Sequence, residues 1–271
     1  MTTRETRPPS PRDILGRRSH RPYPVPGGAW VGLQRWRDVL FAHWRVPAQS
    51  IEALLPSGLH LDRYRGEAWL GIVAFRIRLR PRALPGLSFE EVNVRTYVHD
   101  GSRPGVYFFS LDASSRLAVA GARRLLNLPY FSASILMAAH GPITEFSSTR
   151  ADRVTGLTAR YWGTGQARAA RPGSLEYFLT ERYCLYAVHR WLGLYRLEIH
   201  HPPWPLQPGS VDVRANTLAD ALDVELDSPP LVHVAASQDV ATWAPERLPA
   251  RAATAALRRR RAAVPARSAG A

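Results

Sequence analysis

A chain of 271 residues with 45% hydrophobic side chains and eight tryptophans can bury a sizeable core, in one large domain or two small ones. All 36 basic residues are arginines, so the chain has no side-chain amine that could form a Schiff base with a carbonyl compound. The single cysteine excludes an intrachain disulfide, and no apolar run approaches the length of a membrane span. We therefore expect a cytoplasmic protein that does not associate with membranes.

The net charge of +14 lies mostly at the two ends of the chain. Residues 1–28 carry a net +4, residues 248–271 carry +6, and residues 29–247 carry the remaining +4. We predict a disordered Pro/Arg-rich lead-in over 1–28, a single domain over 29–247 and a disordered basic tail over 248–271. Any contact with nucleic acid is expected from these tails alone.

The predicted elements alternate short helices with many strands. Helices are predicted at 48–55, near 115–127 after the N-cap serines 114 and 115, and from Ser174 to Thr180. Strands are predicted at 59–64 and 67–80, which form a hairpin, and then at 89–98, 106–111, 131–139, 143–149, 154–162, 183–190, 194–201, 210–216 and 231–236. This order predicts an α+β protein, mostly antiparallel β, with a closed or strongly curved sheet and two or three short helices.

The strand at 89–98 has an unusual polar face. Alternation along a strand places Glu91, Asn93, Arg95 and Tyr97 on one side and four apolar or β-branched residues on the other. Charged groups on an interior strand are costly unless they are paired or line a cavity that water or a ligand can enter. We interpret this face as the floor of a small-molecule pocket.

Three blocks of sequence carry a family resemblance. They are Trp-Arg-Asp and His-Trp-Arg-Val-Pro within 36–47, Val-Asn-Val-Arg-Thr-Tyr-Val at 92–98, and Phe-Leu-Thr-Glu-Arg-Tyr-Cys at 178–184 with His-Pro-Pro-Trp-Pro at 201–205. Together they resemble the YqjF-like family of uncharacterised proteins, a domain of unknown function, over about residues 30–243. That family is similar to the acetoacetate decarboxylase superfamily. The resemblance implies a cone-shaped antiparallel barrel with a buried polar pocket, and it is compatible with a homo-oligomer.

The chain departs from those decarboxylases at their defining residue. Their Schiff-base amine lies in a stretch where a proline is followed by two lysines, and the matching stretch here resembles Pro129-Tyr130-Phe131. The resemblance also matches Glu91 with a pocket carboxylate of those enzymes. Decarboxylation through an imine is therefore excluded for this chain.

Two pocket residues are candidates for catalysis. The guanidinium of Arg95 can hold a substrate carboxylate, and a desolvated Glu91 can act as a general acid or base with a raised pKa. The sequence leaves open a structural alternative in which Arg95 forms an ion pair with Glu91 or with a neighbouring strand.

Four further residues are predicted to bind the ligand. Asn93 and Tyr97 can orient a ligand carbonyl, or they can simply satisfy polar groups of the barrel lining. Tyr130 can replace the lost amine as a hydrogen-bond donor, or it can belong to the core. Trp204, in a rigid Pro-rich segment, can cap the mouth of the pocket or pack against it.

No metal or cofactor is predicted. His200 and His201 are adjacent on a strand, so their side chains diverge, and no phosphate-binding loop or dinucleotide fingerprint is present. Glu181 and Arg182 are also adjacent, so one side chain at most is expected in the pocket, with Arg182 at the surface.

The leading hypothesis is a protein that binds an anionic or carbonyl-containing small molecule and acts on it as a lysine-independent enzyme. The alternatives are a non-catalytic binder or sensor on the same barrel and a nucleic-acid-associated protein that uses its tails.

Overall fold

The computed structural model describes residues 11–226 and 228–249. The strands are β1 (Gly32–Val46), β2 (His60–Leu61), β3 (Ala68–Pro81), β4 (Leu87–His99), β5 (Pro104–Ala113), β6 (Tyr130–His140), β7 (Ile143–Arg150), β8 (Gly156–Gly163), β9 (Cys184–His189), β10 (Gly193–His200), β11 (Gln207–Asn216), β12 (Leu231–Thr242) and β13 (Glu246–Arg247). The helices are α1 (Pro11–Leu15), α2 (Ala48–Glu52), α3 (Arg116–Leu126) and α4 (Leu175–Thr180), with a 3₁₀ turn at Asp220–Leu222.

The strands form one strongly curved sheet with two closed circuits. Its order is β13-β10-β9-β5-β6-β7-β8-β11-β12-β1-β3-β4-β2, and β10–β12 and β5–β4 also pair. Strand β5 pairs with β4 along one edge and divides its other edge between β9 and β6. Strand β12 divides its own edge between β10 and β11 in the same way. One circuit therefore has seven strands and the other nine, and both contain β12, β1, β3, β4 and β5.

The five shared strands form a wall that is buried on both faces. One face belongs to the largest apolar core, to which β4 contributes Val92 and Val94 and which Phe146 fills from the nine-strand side. On the other face, Phe41 and Phe75 belong to a second apolar cluster. Because β4 alternates, its polar residues are directed away from the packed core and towards the seven-strand circuit.

The predicted α+β class, mostly antiparallel with a closed, strongly curved sheet, is confirmed. The structure differs from the sequence expectation in two details. The described residues contain four α-helices rather than two or three. In addition, β2 pairs with β4 and not with β3, so the predicted hairpin is reduced to a bridge between Tyr64 and Glu67.

The folded part of the chain begins before residue 29, because residues 11–28 pack on the barrel. Ile14 is 1% exposed, in an apolar cluster with Trp243. Arg21 donates a hydrogen bond to the Ile199 carbonyl at 2.5 Å and forms a buried ion pair with Glu198. The Pro/Arg-rich composition of this segment gave no indication that Ile14 and Arg21 are buried. At the other end, β13 and the two residues after it are described, and the rest of the predicted basic tail lies outside the described residues.

No helix in the described ranges combines the length and the apolar character needed to cross a membrane.

Candidate functional site

A cavity of about 640 Å³ lies inside the seven-strand circuit, and residues from all seven of its strands line it. Most of the lining is apolar and aromatic. The polar face of β4 contributes Glu91, Asn93 and Arg95. Volumes of roughly 300–1,000 Å³ with a few convergent polar groups are typical of small-molecule sites.

Glu91 is the acidic group of the cavity and is 3% exposed. The Tyr130 hydroxyl donates a hydrogen bond to its Oε2 at 2.7 Å, and the Asn93 amide donates to its Oε1 at 3.3 Å. Burial raises the pKa of Glu91 to about 7; the charge of Asp112 acts in the same direction, and the two hydrogen bonds oppose it. Both protonation states are therefore populated near neutral pH, as a general acid or base requires.

Arg95 is the basic group of the cavity, and it has no carboxylate partner within the described ranges. It is 7% exposed, and its Nη2 donates one long hydrogen bond of 3.4 Å to the Leu179 carbonyl. Its guanidinium carbon lies 5.5 Å from the ring centre of Phe41 and 5.9 Å from that of Tyr97. The ion pair with Glu91 that the sequence left open is thus not formed.

Two buried polar atoms of the cavity residues, the Nε of Arg95 and the Oδ1 of Asn93, have no hydrogen-bond partner among the residues that the structure describes. Buried polar groups are almost always paired, so each exception calls for an explanation. One of these atoms is a donor and the other an acceptor, and both belong to residues that line the cavity.

The backbone departs from regular pairing at Arg95. The register between β4 and β5 shifts between Val94 and Arg95, with Ser110 opposite Val94 and Phe108 opposite Arg95. Such irregularities re-aim side chains and are frequent beside active sites. On the other side, Arg95 pairs with Gly71, where a Cβ would lie 3.0 Å from the His43 ring.

Of the other predicted ligand-binding residues, Tyr130 and Trp204 line the cavity and Tyr97 does not. Tyr97 is fully buried and shares a 2.7 Å hydrogen bond with the Nε2 of His43. The ring of Phe178, at 5.2 Å, covers Tyr97. Tyr97 therefore packs against Arg95 and contributes no surface to the cavity.

Trp204 forms a wall of the cavity and is not a lid at its mouth. It is 2% exposed and packs edge-on against Phe41, with ring centres 4.9 Å apart. Its backbone N–H donates to Glu181 Oε1 at 2.9 Å, and the Glu181 Oε2 accepts from the Tyr183 hydroxyl at 2.5 Å.

Sequence reasoning missed Arg182, which lines the cavity and is 6% exposed, so its expected surface position is wrong. Its Nη1 donates to Asp62 at 2.6 Å and its Nε to the Phe178 carbonyl at 2.6 Å. The charge of Arg182 is thus compensated by Asp62, whereas Arg95 has no carboxylate partner among the described residues.

His201 also lines the cavity. Its ring nitrogens lie 2.8 Å from the Pro202 carbonyl and 3.3 Å from that of Arg182. Burial lowers its pKa. Across the part of the chain that the structure describes, no cluster of three or more His, Cys, Asp or Glu side chains could hold a metal ion.

The sequence of this chain is similar to known proteins. The model of the DUF2071 family, described as an uncharacterized conserved protein, matches residues 33–239. The uncharacterized protein YqjF of Bacillus subtilis (strain 168) is 44% identical over 226 residues, which cover 81% of this chain and 93% of that protein.

Two solved structures show the same fold. The enduracididine biosynthesis enzyme MppR with HEPES buffer bound matches with a TM-score of 0.61 at 12% identity, covering 83% of this chain and 90% of that chain. An acetoacetate decarboxylase-like enzyme from Sphingomonas wittichii RW1 matches with a TM-score of 0.56 at 16% identity, covering 84% and 98%. At these identities the likeness concerns the fold alone.

Proposed function

Because this chain belongs to the DUF2071 family, whose YqjF-like sequence pattern it carries on an acetoacetate decarboxylase-like barrel, we propose that it binds a small carboxylate or carbonyl compound in the barrel cavity. It acts on this compound by proton transfer and without an imine, since the chain has no lysine. The family descriptions name no reaction, so the proposal depends on the site.

The observation that carries the proposal is the buried guanidinium of Arg95, which has no carboxylate partner in the described part of the chain. A buried cation without an anion is costly, and a ligand carboxylate or a polarised carbonyl oxygen would compensate it. The guanidinium of Arg95 lines the cavity and can donate to that oxygen. The relative MppR is described in complex with pyruvate, a keto acid that carries both kinds of group.

Glu91 is the group that transfers the proton. Its pKa of about 7 lets it take a proton from, or give one to, a carbon or oxygen of the ligand that Arg95 holds. Tyr130 fixes the orientation of the carboxyl group through its 2.7 Å hydrogen bond. Asn93 also lines the cavity, and its side-chain amide can form a hydrogen bond with a ligand hydroxyl or enol.

The second candidate is a non-catalytic binder or sensor on the same barrel. It is favoured by the fact that both oxygens of Glu91 already accept hydrogen bonds from the protein. In that case Arg95 would keep its role in binding, and Glu91 would serve only to hold Tyr130 and Asn93. Association with nucleic acid through the basic tails stays a prediction from composition.

The test is a screen of keto acids, enols and aromatic carboxylates by thermal shift, followed by titration of each hit. Arg95→Ala removes charge-assisted hydrogen bonds, so it should weaken binding by about ten- to a hundredfold. Arg95→Lys keeps the charge but not the planar guanidinium, so its affinity should lie between those of wild type and Arg95→Ala. Stabilisation by a ligand that is unchanged in Arg95→Ala would refute the role of Arg95.

Catalysis is tested with Glu91→Gln and a matched control on the same strand. Glu90→Gln is the control, because Glu90 faces away from the cavity and contacts Ser114 Oγ at 2.8 Å and Arg76 at 3.7 Å. Loss of turnover in Glu91→Gln with binding retained, and full turnover in Glu90→Gln, is the result expected of an enzyme. Binding without turnover in the wild-type protein would support the binder instead.

A further inference from the structure

The mouth of the cavity is rimmed by exposed apolar side chains. Val31, Leu84, Leu117 and Leu125 are 44%, 65%, 68% and 69% exposed, and all four line the cavity. Large apolar side chains that are exposed together, and continuous with a pocket, usually mark a surface that binds something.

Helix α3 covers the cavity with one face. Its residues 117, 118, 121, 122, 125 and 126 line the cavity, and this spacing defines a single helical stripe. The middle of the stripe is formed by Ala118, Gly121 and Ala122, while leucines stand at its ends. A Cβ atom added at Gly121 would meet no atom within 4 Å. Helix α3 therefore covers the cavity and leaves the space beside Gly121 open.

The cavity is also much larger than a small acid requires. Its volume of about 640 Å³ corresponds to about twenty water molecules at their share of liquid volume. Pyruvate or acetoacetate would occupy only the polar end, beside Arg95. The remaining space has apolar walls that continue beneath α3 to the exposed rim.

We infer that the ligand is amphiphilic, with a carboxylate or carbonyl head at Arg95 and a hydrocarbon chain that runs beneath α3 to the apolar rim. This inference rests on the proposed function, since it takes the head group to lie at Arg95. The hydrocarbon chain of the ligand buries its apolar surface against the small residues of α3. Its far end covers the leucines of α3 that are otherwise exposed.

The test is the binding of butanoate, hexanoate and octanoate to the full chain, measured by titration calorimetry below the concentration at which these acids form micelles. Each methylene that enters an apolar site should tighten binding about fourfold, so octanoate should bind roughly 200 times more tightly than butanoate. Octanol is the control without a charged head, and it should bind far more weakly than octanoate.

Gly121→Leu tests whether the hydrocarbon chain of the ligand runs beneath α3. Ala120→Leu is its matched control on the outer face of the same helix. Leucine is a good helix former, and the space beside Gly121 is open, so both variants should fold. Gly121→Leu should weaken octanoate binding about sixtyfold, because the added side chain replaces about three methylenes of burial. Butanoate binding should not change in Ala120→Leu, and in Gly121→Leu it should change much less than octanoate binding does.

The outcomes separate the two proposals. If these acids bind with an affinity that does not depend on chain length, or if Gly121→Leu behaves like Ala120→Leu, the inference about the chain is wrong and the proposed function stands. If octanoate binds equally well to Arg95→Ala, the proposed head-group site is wrong. If no carboxylate binds at any length and the screen of keto acids and enols is negative as well, both proposals fail. A dimer that buries the rim and excludes octanoate would also overturn the inference.

Discussion

The buried carboxyl group of Glu91 should make the stability of the protein depend on pH in a way that one substitution removes. Its pKa rises from an ordinary value of 4.5 to about 7, mainly through burial. The folded state therefore binds this proton more tightly than the unfolded state. The stabilisation is fully present below pH 4.5, declines as the pH rises and is lost above about pH 7.

The size of the effect follows from the difference between the two pKa values. Each pKa unit corresponds to about 1.4 kcal/mol, so the complete change is about 3 kcal/mol, of which roughly 2 to 3 kcal/mol falls between pH 5 and pH 8. In Glu91→Gln the group cannot ionise, and the amide keeps an oxygen that accepts from Tyr130. The variant should therefore lack this part of the pH dependence.

The assay is denaturant unfolding of wild type, Glu91→Gln and Glu90→Gln at pH 5 and pH 8. Relative to wild type, Glu91→Gln should gain about 2 to 3 kcal/mol in free energy of unfolding on going from pH 5 to pH 8. Other titrating groups are common to both proteins and cancel in this comparison. Glu90→Gln should show no such gain. Parallel pH profiles for wild type and Glu91→Gln would refute the raised pKa, and with it the proton-transfer role at neutral pH.

Three further changes have defined outcomes. Tyr130→Phe removes a hydrogen bond that lowers the pKa of Glu91, so the pH at which stability is lost should move upward in the same unfolding assay. Tyr97→Phe leaves a buried imidazole nitrogen without its partner and should cost about 1–3 kcal/mol; an unchanged melting temperature would contradict this. Arg150→Met breaks a two-point ion pair with buried Asp112 and should cost about 3–5 kcal/mol at pH 7, measured by denaturant unfolding.

The central strand of the site could be predicted from the sequence because its information is local. A period of two along β4 is visible in ten consecutive residues, and it places Glu91, Asn93 and Arg95 on one face wherever the strand lies in the sheet. The same pattern could not show that Tyr97 is covered by Phe178, because that contact joins residues far apart in the chain.

Arg182 was misplaced because the chain around it is not extended. Glu181 has φ −86° and ψ 65°, and the Arg182 N–H donates to the Thr180 carbonyl at 3.0 Å. This is the geometry of an inverse γ-turn, which ends the alternation of neighbouring side chains. Both Glu181 and Arg182 are consequently buried. The signal available in the sequence was the end of α4 immediately before them, where regular alternation is not expected.

The pairing of β2 could not be predicted for a similar reason. The segment around 59–64 precedes β3 closely enough for a hairpin, yet both edges of β3 are already occupied, one by β1 and the other by β4. Local sequence shows which residues can form a strand, while the choice of partner depends on which edges the rest of the sheet leaves available.

The docking of residues 11–28 has a practical consequence for anyone who prepares this protein. Composition suggests that the chain can be shortened to begin at residue 29, but that cut would remove Arg21 and uncover the cluster in which Ile14 is 1% exposed. Glu198, with 4% of its side chain exposed, would lose one of its three guanidinium neighbours. Trimmed versions intended for expression or crystallisation should therefore retain the chain from Pro11 onward.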